Sequence, residues 1–299
     1  MERLRRWCQV LFALAGNAYW LFPWRAPLYQ GPLKKACFPG LNCYSCPAAV
    51  GACPLGGLQN ALAALRPTLR AGQLQLGGYV AGFLGVVGSL GGRFVCGWIC
   101  PFGFLQEGLY RLPVPKLGLW RPLRWMPYGF LLVFVVALPL LAVDRLGYGA
   151  PYFCKLVCPA GTLEAGLPLL ALHPELRAVA GWLFVHKLAV LVALLAWCTM
   201  TLRAFCRTIC PLGAIYGLFN RVSFLRLRFH PDRCVACGAC RTVCPTGVSF
   251  FDGVDGPNTP ACIRCLRCQA TCPTRAVTLE FGPVRAAEET APEKDHAKA

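Results

Sequence analysis

Eight cysteines near the C-terminus are spaced for electron chemistry. They read Cys234-x2-Cys237-x2-Cys240-x3-Cys244-Pro245, then Cys262-x2-Cys265-x2-Cys268-x3-Cys272-Pro273. In bacterial two-cluster ferredoxins, three cysteines two residues apart wrap one cubane, and the fourth, before a proline, ligates the other. The spacing assigns Cys234, Cys237, Cys240 and Cys272 to one 4Fe-4S cluster, and Cys262, Cys265, Cys268 and Cys244 to a second. Structural zinc also takes four cysteines from paired C-x2-C motifs, but a third evenly spaced cysteine plus Cys-Pro, twice over, does not suit it. This end of the chain moves single electrons.

The remaining cysteines fall into a repeat. A Cys-Pro-x-Gly phrase opens at Cys53, Cys100, Cys158 and Cys210, and the last three follow another cysteine four residues back: Cys96, Cys154 and Cys206. Proline ends what precedes it and can open a helix at its first turn. Glycine lets backbone approach a bulky group. Cys96, Cys100, Cys206 and Cys210 make a set of four soft thiolates suited to a third cluster, or else two reducible dithiols or unligated structural cysteines. Cys37, Cys43, Cys46, Cys53, Cys154 and Cys158 form another group, read equally as cluster ligands or as disulfides. By the repeat, Cys154 and Cys158 join two of the cysteines between Cys37 and Cys53; alternatively those four form a local site. Cys8 and Cys198 stand alone in apolar runs and read as small hydrophobes.

These sites need a scaffold, and the composition says which kind. The chain has 299 residues, 56% hydrophobic and 14% charged, with a mean hydropathy of +0.50. That is too apolar for an ordinary soluble protein. The formal charge of +17 comes from basic residues at the ends of apolar runs, as in membrane flanks, so nucleic-acid binding is excluded. Four apolar runs read as transmembrane helices: the uncharged Trp7 to Trp24, Ala71 to Gly92 and Met126 to Val143, and Ala178 to Leu202, which carries His186 and Lys187. Gly161 to Leu172 is short and holds Glu164, which reads as interfacial.

The expected fold is an all-α membrane bundle of four helices in two parallel repeats over residues 1–225. A small α+β two-cluster ferredoxin domain follows over 226–281, with short strands around Val248–Phe251 and Val277–Phe281, then a disordered tail over 282–299. Three arginines in the first six residues, and the need of exposed clusters for a reducing compartment, put both termini and the ferredoxin in the cytoplasm of a bacterium, across its inner membrane. The phrases at Cys100 and Cys210 then share the inner side, and those at Cys53 and Cys158 the outer side.

No C-x-x-C-H phrase occurs and a single span holds a single histidine, so no haem is expected. His186 and Lys187 are the candidate quinone contacts, with Glu164 a weaker one.

With Cys96-Gly-Trp-Ile-Cys100-Pro101, Cys206-Arg-Thr-Ile-Cys210-Pro211 and both ferredoxin motifs in place, the chain resembles the NapH-type membrane polyferredoxins. It is similar also to the iron–sulfur halves of NosR-type regulators. The resemblance runs from about the second span to Glu280. It implies electron transfer between the quinone pool and redox protein partners, ferredoxin-like or multihaem cytochrome subunits, with the chain either a carrier or a quinol dehydrogenase subunit. The extra cysteines at 37–53 and at Cys154 and Cys158 depart from that pattern, so nitrate reduction is not carried over. Two further readings stand beside it: a conduit delivering electrons to outer-face thiols and disulfides, and a redox-sensing regulator or assembly factor.

Overall fold

Proline decides where the short helices begin. Helices Pro54–Ala63, Pro101–Leu109 and Pro211–Phe219 each start on the proline of a Cys-Pro phrase. The N–H that proline lacks would have no partner in a first turn, so its placement there costs nothing. The cysteine before each proline is extended, and all four phrases repeat one backbone shape: φ −64 to −68° and ψ 107 to 122° at Cys53, Cys100, Cys158 and Cys210. In three of them the cysteine N–H donates to the carbonyl five residues back, at Val95, Phe153 and Phe205. Those three side chains are all buried. The repeat is therefore structural as well as sequential.

This computed structural model describes residues 1–22, 24, 27–72, 77–250 and 255–282. Two of its helices, Arg121–Leu141 and Trp182–Met200, are long and apolar enough to cross a membrane. At about 1.5 Å per residue they reach roughly 30 Å, the thickness of a hydrocarbon core. Gly78–Gly91 and Gly161–Leu172 are shorter apolar helices.

The first apolar run behaves differently from its expectation. Its helix is Glu2–Gly16, starting inside the arginine cluster and ending well before Trp24. Arg5 and Gln9 are fully buried and both donate to Gly97 O. A helix that must bury an arginine starts where a carboxylate, here Glu107, can meet it. The other end packs on a loop: Gly16 O accepts from Val50 N–H, and a methyl group at Gly16 would lie 2.9 Å from the Phe38 ring. The second run is helical only from Gly78 onward, and 73–76 lie outside the described residues.

The ferredoxin domain holds one two-stranded antiparallel sheet, β1 (Leu225–Phe229) with β2 (Val277–Phe281), in register Leu225 to Phe281 and Phe229 to Val277. The strand expected at Val277–Phe281 is present. Its partner is Leu225–Phe229 rather than Val248–Phe251: residues 248–250 are irregular, and Phe251 lies outside the described residues. Val248 and Phe250 instead fill the core under the sheet with Leu227 and Val277. From 283 on, the expected tail also lies outside the described residues.

Candidate iron–sulfur sites

In the ferredoxin the two motifs share one backbone path. Positive φ occurs at Ala236 and Gly238 in the first motif and at the matching Arg264 and Leu266 in the second. Such kinks turn successive amides toward a common centre, which suits an anionic group. Cys234, Cys237, Cys240 and Cys272 line one cavity near the surface, where Cys237 is exposed. Cys262, Cys265 and Cys268 are buried, and the Cys244 sulfur acts on all three. Burial pushes the Cys262 thiol up to about 12. The Cys-Pro sulfurs accept backbone donors at equivalent places: Val248 N–H to Cys244 Sγ at 3.3 Å and Ala276 N–H to Cys272 Sγ at 3.2 Å. Among the described residues no group of three His, Cys, Asp or Glu is placed to hold a single metal ion. Four thiolates arranged around a cubane need no such convergence, because each binds a different iron.

Cys96, Cys100, Cys206 and Cys210 line one enclosed cavity with Pro39 and Gly40. Gly40 is obligatory here, since a methyl group would lie 2.9 Å from Cys100 Cα. The two halves cap each other reciprocally. Arg203 Nη1 donates to Cys96 O at 2.6 Å, and Arg93 Nη2 donates to Cys206 O at 2.9 Å. Each arginine lies three residues before its own half's first cysteine. Each passes over the phrase glycine of the other half: a methyl group would lie 3.1 Å from Arg203 at Gly103 and 2.8 Å from Arg93 at Gly213. Gln106 Nε2 donates to Cys206 Sγ at 3.0 Å. Burial first, then the neighbouring thiols, pushes Cys100 up to about 12. Loading such a site with metal must release protons from buried thiols.

The ferredoxin sits directly on this nest. Arg93 Nη1 donates to Pro260 O at 2.8 Å, and Asn220 Nδ2 to Cys262 O at 2.8 Å. Trp98 Nε1 donates to Arg264 O at 3.0 Å. Gly97 lies so close that a methyl group would be 2.5 Å from Ile263 O. Cys265 belongs to the same apolar core as Cys96, Cys100, Cys206 and Cys210. Below the contact, Glu107 accepts from Arg5 and Arg203, and Arg267 reaches it at 3.2 Å. Burial alone would raise the Glu107 carboxyl, but Arg203, Arg5 and Arg267 hold it at about 2.

The other cysteine group gathers elsewhere. Gln59 Nε2 donates to Cys154 Sγ at 3.1 Å, and Gln59 Oε1 accepts from Phe153 N–H at 3.0 Å. Gln59 stands six residues after Cys53 as Gln106 stands six after Cys100, so two amides at one repeat position each meet a sulfur of the opposite half. Glu164 and Tyr216 hold the same position in the other two phrases. Glu164 accepts Cys43 N–H at 2.7 Å, and burial raises its carboxyl to about 7. Tyr216 donates to Pro39 O at 3.1 Å. The sequence showed polar residues at this position in all four phrases, which was the available signal for them.

Lys187 faces this second group: its Nζ would lie 3.8 Å from a methyl group at Gly161. Burial raises the Cys154 thiol, and the Gln59 bond and the Lys187 charge oppose that rise. His186 is on the helix flank, bonded to Leu156 O at 3.2 Å. It stands four residues after the helix start at Trp182, about 6 Å in from that end. Cys46 Sγ lies 3.7 Å from Asn17 Oδ1, and Cys37 N–H donates to the Tyr79 hydroxyl at 3.2 Å. Cys198 is fully buried against Gln106, and Cys8 packs on the ferredoxin core. On the ferredoxin side of the first nest, Arg93, Arg121, Arg124, Trp125, Tyr128 and Arg207 line a cavity of about 380 Å³.

Four-cysteine nests joined by one core define an iron–sulfur electron-transfer protein, a polyferredoxin. Comparison with known sequences agrees. Residues 77–119 match a 4Fe-4S binding domain, and 197–248 and 226–273 match 4Fe-4S dicluster domains, so the chain carries at least two 4Fe-4S clusters. The methylamine utilization ferredoxin-type protein MauN of Methylorubrum extorquens is 33% identical over 52% of this chain and 48% of its own length. The putative electron transport protein YccM of Escherichia coli is 26% identical over 65% of this chain and 53% of its own. Protein NirI of Paracoccus denitrificans is 30% identical over 54% of this chain and 22% of its own. The chain spans about half the length of MauN and YccM and less of NirI. No solved structure matches it.

Proposed function

We propose that this chain is a NapH-like membrane relay that takes electrons from a quinol and passes them, cluster by cluster, to its ferredoxin domain and on to redox protein partners. The observation that carries it is the seating of the Cys262–Cys268 motif on the Cys96–Cys100 turn. That seating gives a buried nest and a ferredoxin site one common core, as single-electron transfer requires. When bound, the clusters supply one-electron redox chemistry. The chain's residues hold them, exclude water and set their charge. Cys96, Cys100, Cys206 and Cys210 hold the third cluster. The two long apolar helices support a place in the inner membrane, with Glu2–Gly16 and Gly78–Gly91 completing four traverses and the ferredoxin in the cytoplasm.

His186 and Lys187, near the second cysteine group, are the proposed quinol contacts, and the arginine-lined cavity is the rival seat. The test uses full-length protein, loaded with clusters and reconstituted in vesicles containing a menaquinol or ubiquinol. Electron paramagnetic resonance should show the ferredoxin clusters reduced, and His186→Leu should slow that reduction tenfold or more. Loss on Trp125→Ala instead would move the seat to the cavity. Clusters that only a strong chemical reductant fills would overturn the quinol reading. If alkylation of Cys154 and Cys158 tracked ferredoxin reduction, the thiol conduit would replace it.

A further inference from the structure

Six cysteines lie on the far side of the repeat, and the 4Fe-4S domain matches reach none of them: 77–119, 197–248 and 226–273 exclude Cys37, Cys43, Cys46, Cys53, Cys154 and Cys158. Their arrangement nonetheless copies the first nest. Cys154 and Cys158 sit on the same turn as Cys96 with Cys100 and Cys206 with Cys210, closed by the same five-residue backbone bond. Cys53 has the same extended backbone before its proline. The Gln59 amide meets Cys154 Sγ as the Gln106 amide meets Cys206 Sγ, at 3.1 and 3.0 Å. In this half no cysteine stands four residues before Cys53. The fourth sulfur comes from a loop instead: Cys43 Sγ would lie 3.7 Å from a methyl group at Gly161, inside the third phrase, and Cys43 N–H is fixed by Glu164.

Cys154, Cys53 and Cys43 each act electrostatically on Cys158, and Cys46 stands near enough to act on Cys43. The Cys46 sulfur meets Asn17, and the Cys37 thiol meets the Tyr79 hydroxyl. The Thr162 hydroxyl, one residue past Gly161, is buried without a hydrogen-bond partner.

We propose that Cys43, Cys53, Cys154 and Cys158 ligate a fourth 4Fe-4S cluster, with Cys37 and Cys46 outside its ligand set. Lys187 marks this nest on the Trp182–Met200 helix, and Cys198, bonded to Gln106, marks the first. Eleven residues of helix separate them, about 16 Å along the axis. Tyr216 lies between, feeling Cys96 and Cys100 from one side and Cys53 and Cys37 from the other. Four clusters would then form one line from the interior of the bundle to the ferredoxin surface.

The inference extends the relay reading, and an iron count tests it without quinol, so each can fail alone. Full-length protein is purified without air and reconstituted with iron and sulfide. Wild type should hold about 16 irons, four per cubane. Cys154→Ala and Cys43→Ala should each lose about four and one resonance signal, while Cys46→Ala and Cys37→Ala lose none. A wild type with about 12 irons whose Cys43, Cys53, Cys154 and Cys158 are in disulfides or bound to zinc would overturn the assignment. So would a loss of four irons on Cys46→Ala but not on Cys43→Ala. Should Cys154→Ala fail to fold, Gln59→Leu decides: a lowered potential for one of four clusters supports the site, and four unchanged potentials overturn it.

Discussion

Around Cys96, Cys100, Cys206 and Cys210 the protein buries two guanidinium groups, Arg93 and Arg203. Around Cys43, Cys53, Cys154 and Cys158 it places a half-buried carboxyl, Glu164, with two amines, Lys187 and Lys34, rather than guanidinium groups. The two nests share the Cys-Pro turn, and the clearest contrast between them lies in charge. Buried cations favour the more negative, reduced state of a cluster, and an acid does not. The clusters proposed for the two nests should therefore be ordered downhill for an electron, from the second nest to the first. The comparison also separates anchoring from chemistry. The first nest is tied to the N-terminal helix and the ferredoxin by Glu107, whereas the matching repeat residue of the second, Asn60, is exposed.

That difference predicts the largest effect. Glu107→Ala leaves Arg203 buried without a counter-charge and Arg5 with Glu2 alone, and breaking a buried pair costs about 3–5 kcal/mol. The apparent melting temperature of the cluster-loaded protein should fall by many degrees. Asn60→Ala should stay within about 0.5 kcal/mol, as exposed substitutions do. Equal effects would show that the two halves are anchored alike. The same carboxyl gives a pH dependence. It is held at about 2, below its ordinary 4.5. A depressed carboxyl contributes stability that is fully present above 4.5 and is lost as pH falls through about 2. Thermal scans between about pH 5 and pH 2 should show that loss in the wild type and a smaller one in Glu107→Gln.

A smaller effect follows from packing. At Gly97 a methyl group meets Ile263 O at 2.5 Å, so Gly97→Ala must push the ferredoxin off its seat, at about 1–3 kcal/mol. Proteolysis between the domains should quicken. At Gly161 the nearest atoms are Cys43 Sγ at 3.7 Å and Lys187 Nζ at 3.8 Å, ordinary contacts. Gly161→Ala should leave the melting temperature within about 2 °C, since overpacking is absent and alanine favours a helix.

Much of this was legible because ferredoxin ligands lie within a few residues of one another. The spacing of Cys234 to Cys272 reads locally, and the alternation of the Cys-Pro phrases along the chain pointed to which turns share a side. Contacts that span a hundred residues were not legible. Nothing local to Arg5 announces Glu107, and nothing local to Trp98 announces Arg264. The strand Leu225–Phe229 carried a period-two signal, Leu-Arg-Leu-Arg-Phe, at the boundary between the two expected domains. The N-terminal run reads as a span by hydropathy, which does not show where the helix is anchored. Burial of Arg5 and Gln9 makes it a helix anchored by polar bonds at one end.

The smallest effect sharpens the comparison most. Gln59 and Gln106 each give one neutral hydrogen bond to a thiolate sulfur of the opposite half. Hydrogen bonds to cluster sulfurs raise the reduction potential, because the donor stabilises the extra negative charge. Removing one of about 1 kcal/mol corresponds to roughly 40 mV for a single electron, at about 59 mV per tenfold change. Gln106→Leu should lower the first nest's potential by about that amount and leave the ferredoxin potentials in place. Gln59→Leu should do the same to the second nest alone. Redox titration followed by electron paramagnetic resonance reads both. If the two shifts match in size while the absolute potentials differ, the repeat supplies the hydrogen bond equally and the unequal charge of Arg93, Arg203 and Glu164 sets the gradient. If only Gln106 moves a potential, the second nest does not carry the electron, and the downhill order proposed here ends at the first.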